Sequence, residues 1–283
     1  MGFIDDINAF LETEGFCCTR QMREGFEVIC VKTLDGRHER IILPLDVSAH
    51  SSDEAKTVSE AARSCIDFIR SAEGYPVIIT EDRWNSQQSM TRARLLAHLQ
   101  VFSQAFARNC EVRRIEKPQA EAFLRANHSY GPAACRYRYG LFLKRQTGHL
   151  AADTLAPGTL IAVATFSNAR RWIKGDREIR SYEWTRYASL PGLRVSGGMG
   201  KMLKSFIDEV GPDDIMSYAD LEWSQGNVYQ TLGFTLEGQK EPVLFSVDTD
   251  TWTRVPLKPG MTGNLFFRNF GSNKYRLKLT DYE

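Results

Sequence analysis

The chain has 283 residues, of which 42% are hydrophobic and 25% are charged, and its formal net charge is +1. This balance is typical of a folded globular protein with one or two domains, and it gives no bulk charge that favours nucleic acid. No apolar run approaches the roughly 18 residues that a membrane-spanning helix needs, and no secretory signal is recognisable. The six cysteines are irregularly spaced, so we expect free thiols and a cytoplasmic protein.

The first part of the chain alternates short helical and strand patterns. Residues 26–32 and 40–45 are predicted to be strands, and Asp35-Gly36 predicts the turn between them. Ser51 and Glu54 then predict a capping box at the start of a helix that ends at Gly74.

A short buried strand is predicted over 75–80 and a second helix over 89–107. The pattern restarts near Cys110, where a short strand precedes a helix with Pro118 in its first turn. We therefore predict a smaller N-terminal α/β domain, residues 1–109, followed by a larger domain, residues 110–283.

The larger domain is predicted to contain mostly strands and then an alternation of helices and strands. Its best helix covers 198–210, where apolar residues recur at helical spacing and Gly211-Pro212 ends the pattern. Ser224 is predicted to cap a short helix that ends at Gly233. The predicted strands are 160–166, 180–188, 215–219, 241–247 and 275–279.

A glycine-rich segment opens the best predicted helix. The backbone N–H groups of a helix's first turn point outwards together, and the helix dipole adds to their attraction for an anion. Glycine lets a pyrophosphate approach this backbone closely, and two cations would add charge. The predicted cofactor-binding residues are Arg194, Val195, Gly197, Gly198, Gly200 and Lys201. The alternative is an ordinary tight connection between a strand and a helix.

Two common phosphate motifs do not fit this segment. A P-loop needs Ser or Thr after Gly-Lys, and Met202 follows Gly200-Lys201. A dinucleotide-binding turn lies near the start of a βαβ unit, whereas several predicted strands precede this one. The segment therefore matches neither of these two motifs.

The segment resembles the cofactor motif of the GCN5-related N-acetyltransferase (GNAT) superfamily, Arg/Gln-x-x-Gly-x-Gly/Ala at a helix start. Arg194 and Gly197 match this motif, and Met199 takes the last small position unless Gly200 serves one residue later. The sequence Tyr-Gln-Thr-Leu-Gly-Phe over 229–234 is similar to the Tyr-x-x-x-Gly-Phe that often ends a later helix of the family.

This resemblance covers roughly residues 111–247 and implies an α/β (α+β) fold with a GNAT-like mixed central sheet flanked by helices. It also implies acetyl-CoA or another acyl-CoA as the cofactor. In the family, the tyrosine that corresponds to Tyr229 often protonates the departing CoA thiolate. Packing of the short helix is the alternative role for this side chain.

A narrower resemblance concerns the phage Mom-type branch, whose members modify adenine in DNA with an acyl-CoA-derived group. It is carried by Glu183-x-x-Arg186-Tyr187, by Ser-Tyr-Ala-Asp over 217–220 and by Asn-His-Ser-Tyr-Gly-Pro over 127–132. The resemblance implies double-stranded DNA as a partner, and an active site that includes Arg186, Asp220, Tyr229 and Tyr130.

The carboxylates Glu183 and Asp220 both fall at or next to the ends of predicted central strands. An amine loses a proton as it attacks a thioester, so a carboxylate within reach would help. The alternatives are an ion pair between Glu183 and Arg186 and a turn-capping role for Asp220. His128 and Tyr130 lie in a polar, turn-rich stretch, for which we predict a substrate-side role. No second His or Cys stands at ligand spacing, so we expect no metal site of the zinc type.

We therefore predict an acyl-CoA-dependent N-acyltransferase with Asp220, Tyr229, Arg186 and Glu183 as catalytic residues and adenine in DNA as the acceptor. Two alternatives stay open. One is a GNAT acetyltransferase for a protein or small-molecule amine, which the near-neutral net charge fits better. The other is a non-catalytic binding module on the same fold. We expect no membrane partner, and the oligomeric state and the role of residues 1–109 stay open.

Overall fold

A computed structural model of the protein describes residues 2–34, 36, 38–145, 155–261 and 263–282, so Asp35 of the predicted turn lies outside the described residues. The helices are α1 (Phe3–Thr13), α2 (Ser52–Glu73), α3 (Glu81–Ser86), α4 (Gln88–His98), α5 (Lys117–Asn127), α6 (Gly198–Val210) and α7 (Asn227–Thr231). The strands are β1 (Cys18–Arg23), β2 (Phe26–Lys32), β3 (Glu39–Leu45), β4 (Val77–Thr80), β5 (Ser103–Phe106), β6 (Cys110–Arg114), β7 (Tyr137–Leu143), β8 (Leu160–Phe166), β9 (Arg170–Lys174), β10 (Arg177–Ser189), β11 (Leu193–Ser196), β12 (Asp214–Asp220), β13 (Thr235–Lys240), β14 (Leu244–Val247), β15 (Arg254–Pro256), β16 (Leu265–Arg268) and β17 (Ser272–Lys278).

The chain forms two compact units, and each unit is assembled from three segments. The first unit comprises Met1–Gln100, Ala219–Gln225 and Gln239–Asn273, and the second comprises Val101–Tyr218, Gly226–Gly238 and Lys274–Glu283. The chain first passes from one unit to the other after Gln100, close to the boundary predicted at residue 109. The later changes of unit have no counterpart in that prediction. The division into residues 1–109 and 110–283 stays a prediction about independent folding.

The first unit contains a four-stranded sheet in the order β1-β2-β3-β4, in which β3 and β4 are parallel and the other pairs are antiparallel. The helix α2 connects the two parallel strands and packs on one face of the sheet. Its buried residues, such as Cys65 and Ile69, share a core with Val28 and Leu43 of the strands. The predicted helix and strands of this region are confirmed, whereas β1 was not predicted.

The start of α2 follows the predicted cap only in part. The hydroxyl of Ser51 accepts a hydrogen bond from the N–H of Glu54 at 3.2 Å, as a capping box requires. The Glu54 carboxylate, however, accepts from the N–H of His50 at 2.8 Å instead of closing the box on Ser51. The prediction of a complete capping box was therefore wrong, although the helix begins where it was expected.

The helix predicted over 89–107 is also wrong in its second half. The helix α4 ends at His98, and Gln100 then takes a left-handed backbone conformation with φ +67°. Residues 103–106 form β5, which pairs in parallel with β11. The pairing partner lies about ninety residues later in the sequence, so the local helical pattern gave no sign of it.

The second unit is built around a mixed sheet in the order β13-β17-β12-β10-β8-β7-β6, with β9 attached to β10. The helices α5 and α6 cover opposite faces, because alternate residues of a strand point to opposite sides. Val163 of β8 packs against Leu124 of α5, whereas Phe166 of the same strand stacks on Phe206 of α6 with ring centroids 3.9 Å apart. The predicted fold class, a mixed central sheet flanked by helices, is confirmed.

Two features of the described residues concern membranes and metal ions. No described helix combines the length and the apolar character that crossing a membrane requires. Within the same residues, no three His, Cys, Asp or Glu side chains are grouped so that they could hold a metal ion.

Candidate functional site

The strand β11 leads into α6 through a glycine in the left-handed conformation. Gly197 has φ +75° and caps the helix, a backbone state that other L-residues rarely adopt. The N–H of Lys201 makes the first bond of the helix, to the carbonyl of Gly197 at 3.0 Å. The N–H groups of Gly198, Met199 and Gly200 precede it and have no acceptor within their own helix. The first turn therefore offers the backbone donors that the sequence predicted.

Two further glycines allow close packing around this turn. A Cβ on Gly198 would lie 3.0 Å from Cγ1 of Val195 and 3.1 Å from the hydroxyl of Tyr187. A Cβ on Gly200 would lie 3.2 Å from Cδ2 of Leu232, the residue that follows α7. The absence of a side chain on Gly200 thus lets the residue just after α7 pack against the first turn of α6.

The two cations of the glycine segment have different surroundings. The Lys201 ammonium donates hydrogen bonds to the carbonyls of Ala107 at 2.8 Å and Cys110 at 2.5 Å. The Arg194 side chain is exposed, and its guanidinium lies 5.2 Å from the ring centroid of Phe102. Lys201 therefore connects α6 to the start of β6 and to Ala107 just before it, and Arg194 is exposed to an anion that approaches from solvent.

Tyr229 lies on α7 and is surrounded by aromatic rings. Its ring stacks on Tyr275 at 5.3 Å and meets Phe234 at 5.4 Å and Trp184 at 6.2 Å edge to face. Burial raises the pKa of the Tyr229 phenol above its ordinary value, so the hydroxyl keeps its proton at neutral pH.

The helix that carries Tyr229 begins two residues later than a Ser224 cap would place it. Its N-cap is Gly226, with φ +88°, and the prediction of Ser224 as the cap was wrong. The left-handed glycine lets the chain turn from the segment after β12 into a single short helix. Gly233, also left-handed with φ +87°, follows the helix as predicted.

The hydroxyl of Tyr229 has a buried polar neighbour that the sequence did not indicate. The Oγ of Ser217 lies 2.8 Å from this hydroxyl and 3.0 Å from the carbonyl of Trp184. Ser217 was part of a quoted motif, but a serine inside a strand carries no signal of its own. The available clue was its place three residues before Asp220, near the end of a predicted central strand.

Ser217 lies where two central strands stop pairing. The parallel register of β10 and β12 ends with Glu183 opposite Met216. Along β10, the register with β8 shifts between Trp184 and Arg186, which marks a β-bulge. The bond from Ser217 to Trp184 thus takes over from backbone pairing at this point, and it places the hydroxyl of Tyr229 beside the bulge.

Four of the predicted site residues are grouped around Arg186, which follows the bulge. The Nε of Arg186 donates to the carbonyl of Gly131 at 2.9 Å, and the Nδ1 of His128 accepts from the N–H of Tyr130 at 3.1 Å. Burial lowers the pKa of Arg186, and the charges of Glu183 and Tyr130 oppose this effect. Arg186 therefore holds the turn that carries His128 and Tyr130, with Glu183 in electrostatic range.

Asp220 belongs to the first unit, where it lies next to a buried ionic cluster. Its Oδ1 accepts from the N–H of Glu222 at 2.9 Å, which is the turn-capping contact considered as its alternative role. Its Oδ2 lies 3.9 Å from the guanidinium of Arg83. Its catalytic role stays a prediction, as do the roles of the other site residues.

The ionic cluster itself was not predicted. Glu222 is buried and lies 3.0 Å from Arg83 and 2.8 Å from Arg254. Arg254 also pairs with the buried carboxylate of Asp82. These residues are widely separated in the sequence, so neither spacing nor motif could have linked them.

Among known proteins, similarity to this chain was found only with solved structures. No family model matches the chain, and no curated protein matches it either. The chain is similar to a GNAT-family acetyltransferase from Bacillus anthracis, with 12% identity over 60% of this chain and 95% of that one and a TM-score of 0.34. It is similar to ribosomal-protein-S5-alanine acetyltransferase from Vibrio fischeri, with 13% identity over 62% and 96% and a TM-score of 0.36. It is also similar to an N-acyl amino acid synthase from uncultured soil microbes, with 14% identity over 61% and 93% and a TM-score of 0.34.

Proposed function

We propose that this protein is an N-acyltransferase that uses an acyl-CoA, with Tyr229 as a proton donor and the start of α6 as the pyrophosphate site. The observation that carries the proposal is a juxtaposition within the second unit. A half-buried, protonated tyrosine lies on α7, and Gly200 in the first turn of α6 packs against Leu232 just after that helix. A reactive group and an anion site are therefore close enough for one ligand to span both.

Binding would use the backbone more than side chains. The first-turn N–H groups of Gly198, Met199 and Gly200 suit the oxygens of a pyrophosphate, because the helix dipole adds to their attraction. Arg194 is exposed and supplies a positive charge. Lys201 is left out of this site because two backbone carbonyls already hold its ammonium.

Transfer requires two proton movements besides the change of bonds. As the acceptor nitrogen attacks the thioester, a C–N bond forms and the C–S bond breaks. The nitrogen loses a proton, which the carboxylate of Glu183 on the acceptor side would take, and the sulfur gains one. Tyr229 would give its proton to the sulfur, since the burial that raises the tyrosine's pKa also disfavours a bare thiolate. The hydroxyl of Ser217, 2.8 Å away, would hold Tyr229 in place for this step.

The acceptor stays a prediction that rests on short sequence motifs. An adenine in double-stranded DNA is the expected acceptor, and a protein lysine or a small amine is the alternative. We propose that the acceptor side is formed by Glu183, by Arg186 and by the turn that Arg186 holds. This turn carries His128 and Tyr130.

Calorimetric titration of acetyl-CoA into the full chain tests the cofactor site. Met199→Pro removes one first-turn N–H, while Pro118 at the equivalent second position of α5 indicates that the helix tolerates it. We expect saturable binding that the proline variant weakens roughly tenfold, as loss of one charge-assisted hydrogen bond implies. Met199→Ala is the matched control, because it changes the same side chain and keeps the N–H.

A folded wild-type chain that does not bind acetyl-CoA would overturn the proposal. If binding occurs, release of free thiol from acetyl-CoA is measured with duplex DNA, a lysine peptide or a small amine as the acceptor. Thiol release with DNA, together with acylated adenine in the product, would establish the expected acceptor. Thiol release with the lysine peptide or the small amine would support the transferase proposal and show that its acceptor is not DNA.

A further inference from the structure

The hairpin formed by β9 and the first residues of β10, residues 170–180, has no role in the proposed site. We call it the β9–β10 ribbon. Every residue of β9 is exposed, and a two-residue turn at Gly175-Asp176 joins the strands. Its five cations are Arg170, Arg171, Lys174, Arg177 and Arg180.

Like charges face each other directly across this ribbon. In the antiparallel register, Lys174 is the partner of Arg177, and Arg171 is the partner of Arg180. Like charges in such cross-strand positions destabilise a hairpin. Two such pairs in one short ribbon are therefore a local cost to folding, and a polyanionic partner would offset it.

The nearby acids neutralise only part of this charge. Arg171 lies 3.0 Å from Glu178, while Arg177 and Arg180 share a single carboxylate, that of Asp213, at 2.8 and 3.8 Å. Among the described residues, no ion pair of this kind involves Arg170 or Lys174. The ribbon thus keeps an excess of positive charge at its surface.

Large apolar side chains are exposed among these cations. Trp172 is 37% exposed and Ile173 is 69% exposed. Trp172 is on the same face as Lys174, whose ammonium lies 5.8 Å from its ring centroid, and the cross-strand partner of Trp172, Ile179, is buried. The ribbon therefore offers both charge and contact area to a partner.

We propose that the β9–β10 ribbon docks on double-stranded DNA by lying in the major groove. This groove admits a two-stranded β-ribbon, and phosphates line both of its walls. The cations match this arrangement because Arg170, Lys174 and Arg177 lie on one face and Arg171 and Arg180 on the other. An anionic membrane would meet one face or the tip, and the tip carries Asp176.

Fluorescence anisotropy with a labelled duplex of about 20 base pairs, and no acyl-CoA, tests the docking surface on the full chain. Each phosphate contact contributes about −0.9 to the slope of log K against log salt, so we expect a slope of roughly −3 to −5. Arg170→Glu combined with Lys174→Glu should weaken binding at least tenfold at about 100 mM salt and make the slope shallower by about two. Because acetyl-CoA binding is measured separately, failure here leaves the proposed transferase untouched.

The matched control combines Lys117→Glu with Lys204→Glu, which changes net charge equally at exposed helical lysines. It should bind DNA within about twofold of wild type, since both lysines lie on helices outside the ribbon. The proposal is overturned if wild type does not bind duplex DNA at about 50 mM salt, or if the control weakens binding as much as the ribbon variant. Tighter binding to single strands, to duplex RNA or to anionic lipid vesicles would also overturn it.

Discussion

At the scale of single residues, the proposed transfer depends on the position of one hydroxyl. Three aromatic rings and the Oγ of Ser217 surround Tyr229, so its hydroxyl has a defined direction. Burial raises its pKa, which keeps the proton available for donation throughout the neutral range. A phenol removed from water needs such a polar neighbour whether it packs or reacts, so a substitution has to separate the two roles.

Tyr229→Phe tests whether this proton matters. The variant keeps the ring and its packing and removes the hydroxyl, so we expect kcat to fall roughly a hundredfold, as for loss of a general acid. The dissociation constant of acetyl-CoA should stay the same. Tyr137→Phe, a tyrosine that packs on Phe206 instead, should leave kcat unchanged. An unaltered kcat in Tyr229→Phe would assign the residue to packing alone.

Lys201→Met separates two roles for the lysine of the glycine segment. The ammonium binds the carbonyls of Ala107 and Cys110, so we expect the free energy of unfolding to fall by about 1–3 kcal/mol. Acetyl-CoA affinity should change less than about twofold, because a charge held by the protein gains little from the ligand. Urea unfolding and calorimetry measure the two quantities. A large loss of affinity with unchanged stability would restore the phosphate role predicted from the sequence.

At the scale of elements, the β9–β10 ribbon combines strand pairing with charges that oppose it. Its backbone register is regular from Arg177 opposite Lys174 to Ser181 opposite Arg170. The hairpin therefore forms in spite of its charges. The charges that would bind DNA are the ones that lower the stability of the hairpin.

Lys174→Glu makes this conflict measurable. The change converts the Lys174–Arg177 pair into opposite charges, so the melting temperature should rise by an amount equivalent to about 0.2–1 kcal/mol. Affinity for duplex DNA should fall in the same variant. Lys174→Gln, which removes the repulsion without adding attraction, should fall between wild type and Lys174→Glu in both measurements. A lower melting temperature in Lys174→Glu would show that the like-charge pair carries no cost.

Elements whose ends carry local sequence signals could be predicted from the sequence. The helix α6 has an apolar stripe, an opening glycine and a closing Gly211, and it was found where expected. The strand β5 has no such signal, because its partner β11 follows much later and only tertiary pairing makes it a strand. The glycine turn could be predicted from its local sequence in the same way. The place of Ser217 in the site follows only from its contacts with Trp184 and Tyr229 in the structure.

At the scale of the whole molecule, the chain returns to the first unit at Ala219, within the last two residues of β12. Glu222 lies in this returning segment and binds Arg83, which is 139 residues earlier in the sequence. The carbonyl of Leu221 accepts from the hydroxyl of Tyr75, and Arg94 donates to the carbonyl of Trp223. Contacts of such sequence separation leave no local pattern, which explains why the sequence predicted continuous domains.

Glu222→Gln should show how much this segment stabilises the first unit. Burial alone would raise the pKa of Glu222, but the charges of Arg254 and Arg83 outweigh it and the pKa is lowered. Removing the carboxylate leaves buried cations uncompensated, so we expect a loss of about 3–5 kcal/mol at neutral pH. Glu60→Gln, at an exposed ion pair with Arg268, should cost less than about 1 kcal/mol.

The pH dependence of this loss has a defined sign. A lowered folded-state pKa means that the stabilisation is complete above the unfolded pKa and is lost as pH falls through the folded value. The difference between wild type and Glu222→Gln should therefore be largest near neutral pH and shrink as acid protonates the carboxylate. Urea unfolding at a series of pH values measures it. A difference that grows in acid would exclude Glu222 as the source.

A fragment of residues 1–109 tests the predicted N-terminal domain directly. The fragment contains Arg83, Arg94 and Tyr75 but lacks the segment 219–225, which supplies their carboxylate and carbonyl partners. It also lacks residues 239–273, which belong to the same compact unit and include Arg254, the partner of Asp82. Unpaired buried charges of this kind are strongly destabilising.

We therefore expect this fragment to show no cooperative unfolding transition in urea, under conditions in which the full chain shows one. Circular dichroism would follow backbone structure, and fluorescence of Trp84, which is buried in the full chain, would follow packing. A cooperative transition detected equally by both signals would establish residues 1–109 as an independent domain. In that case the segments 219–225 and 239–273 would add to a core that already forms without them.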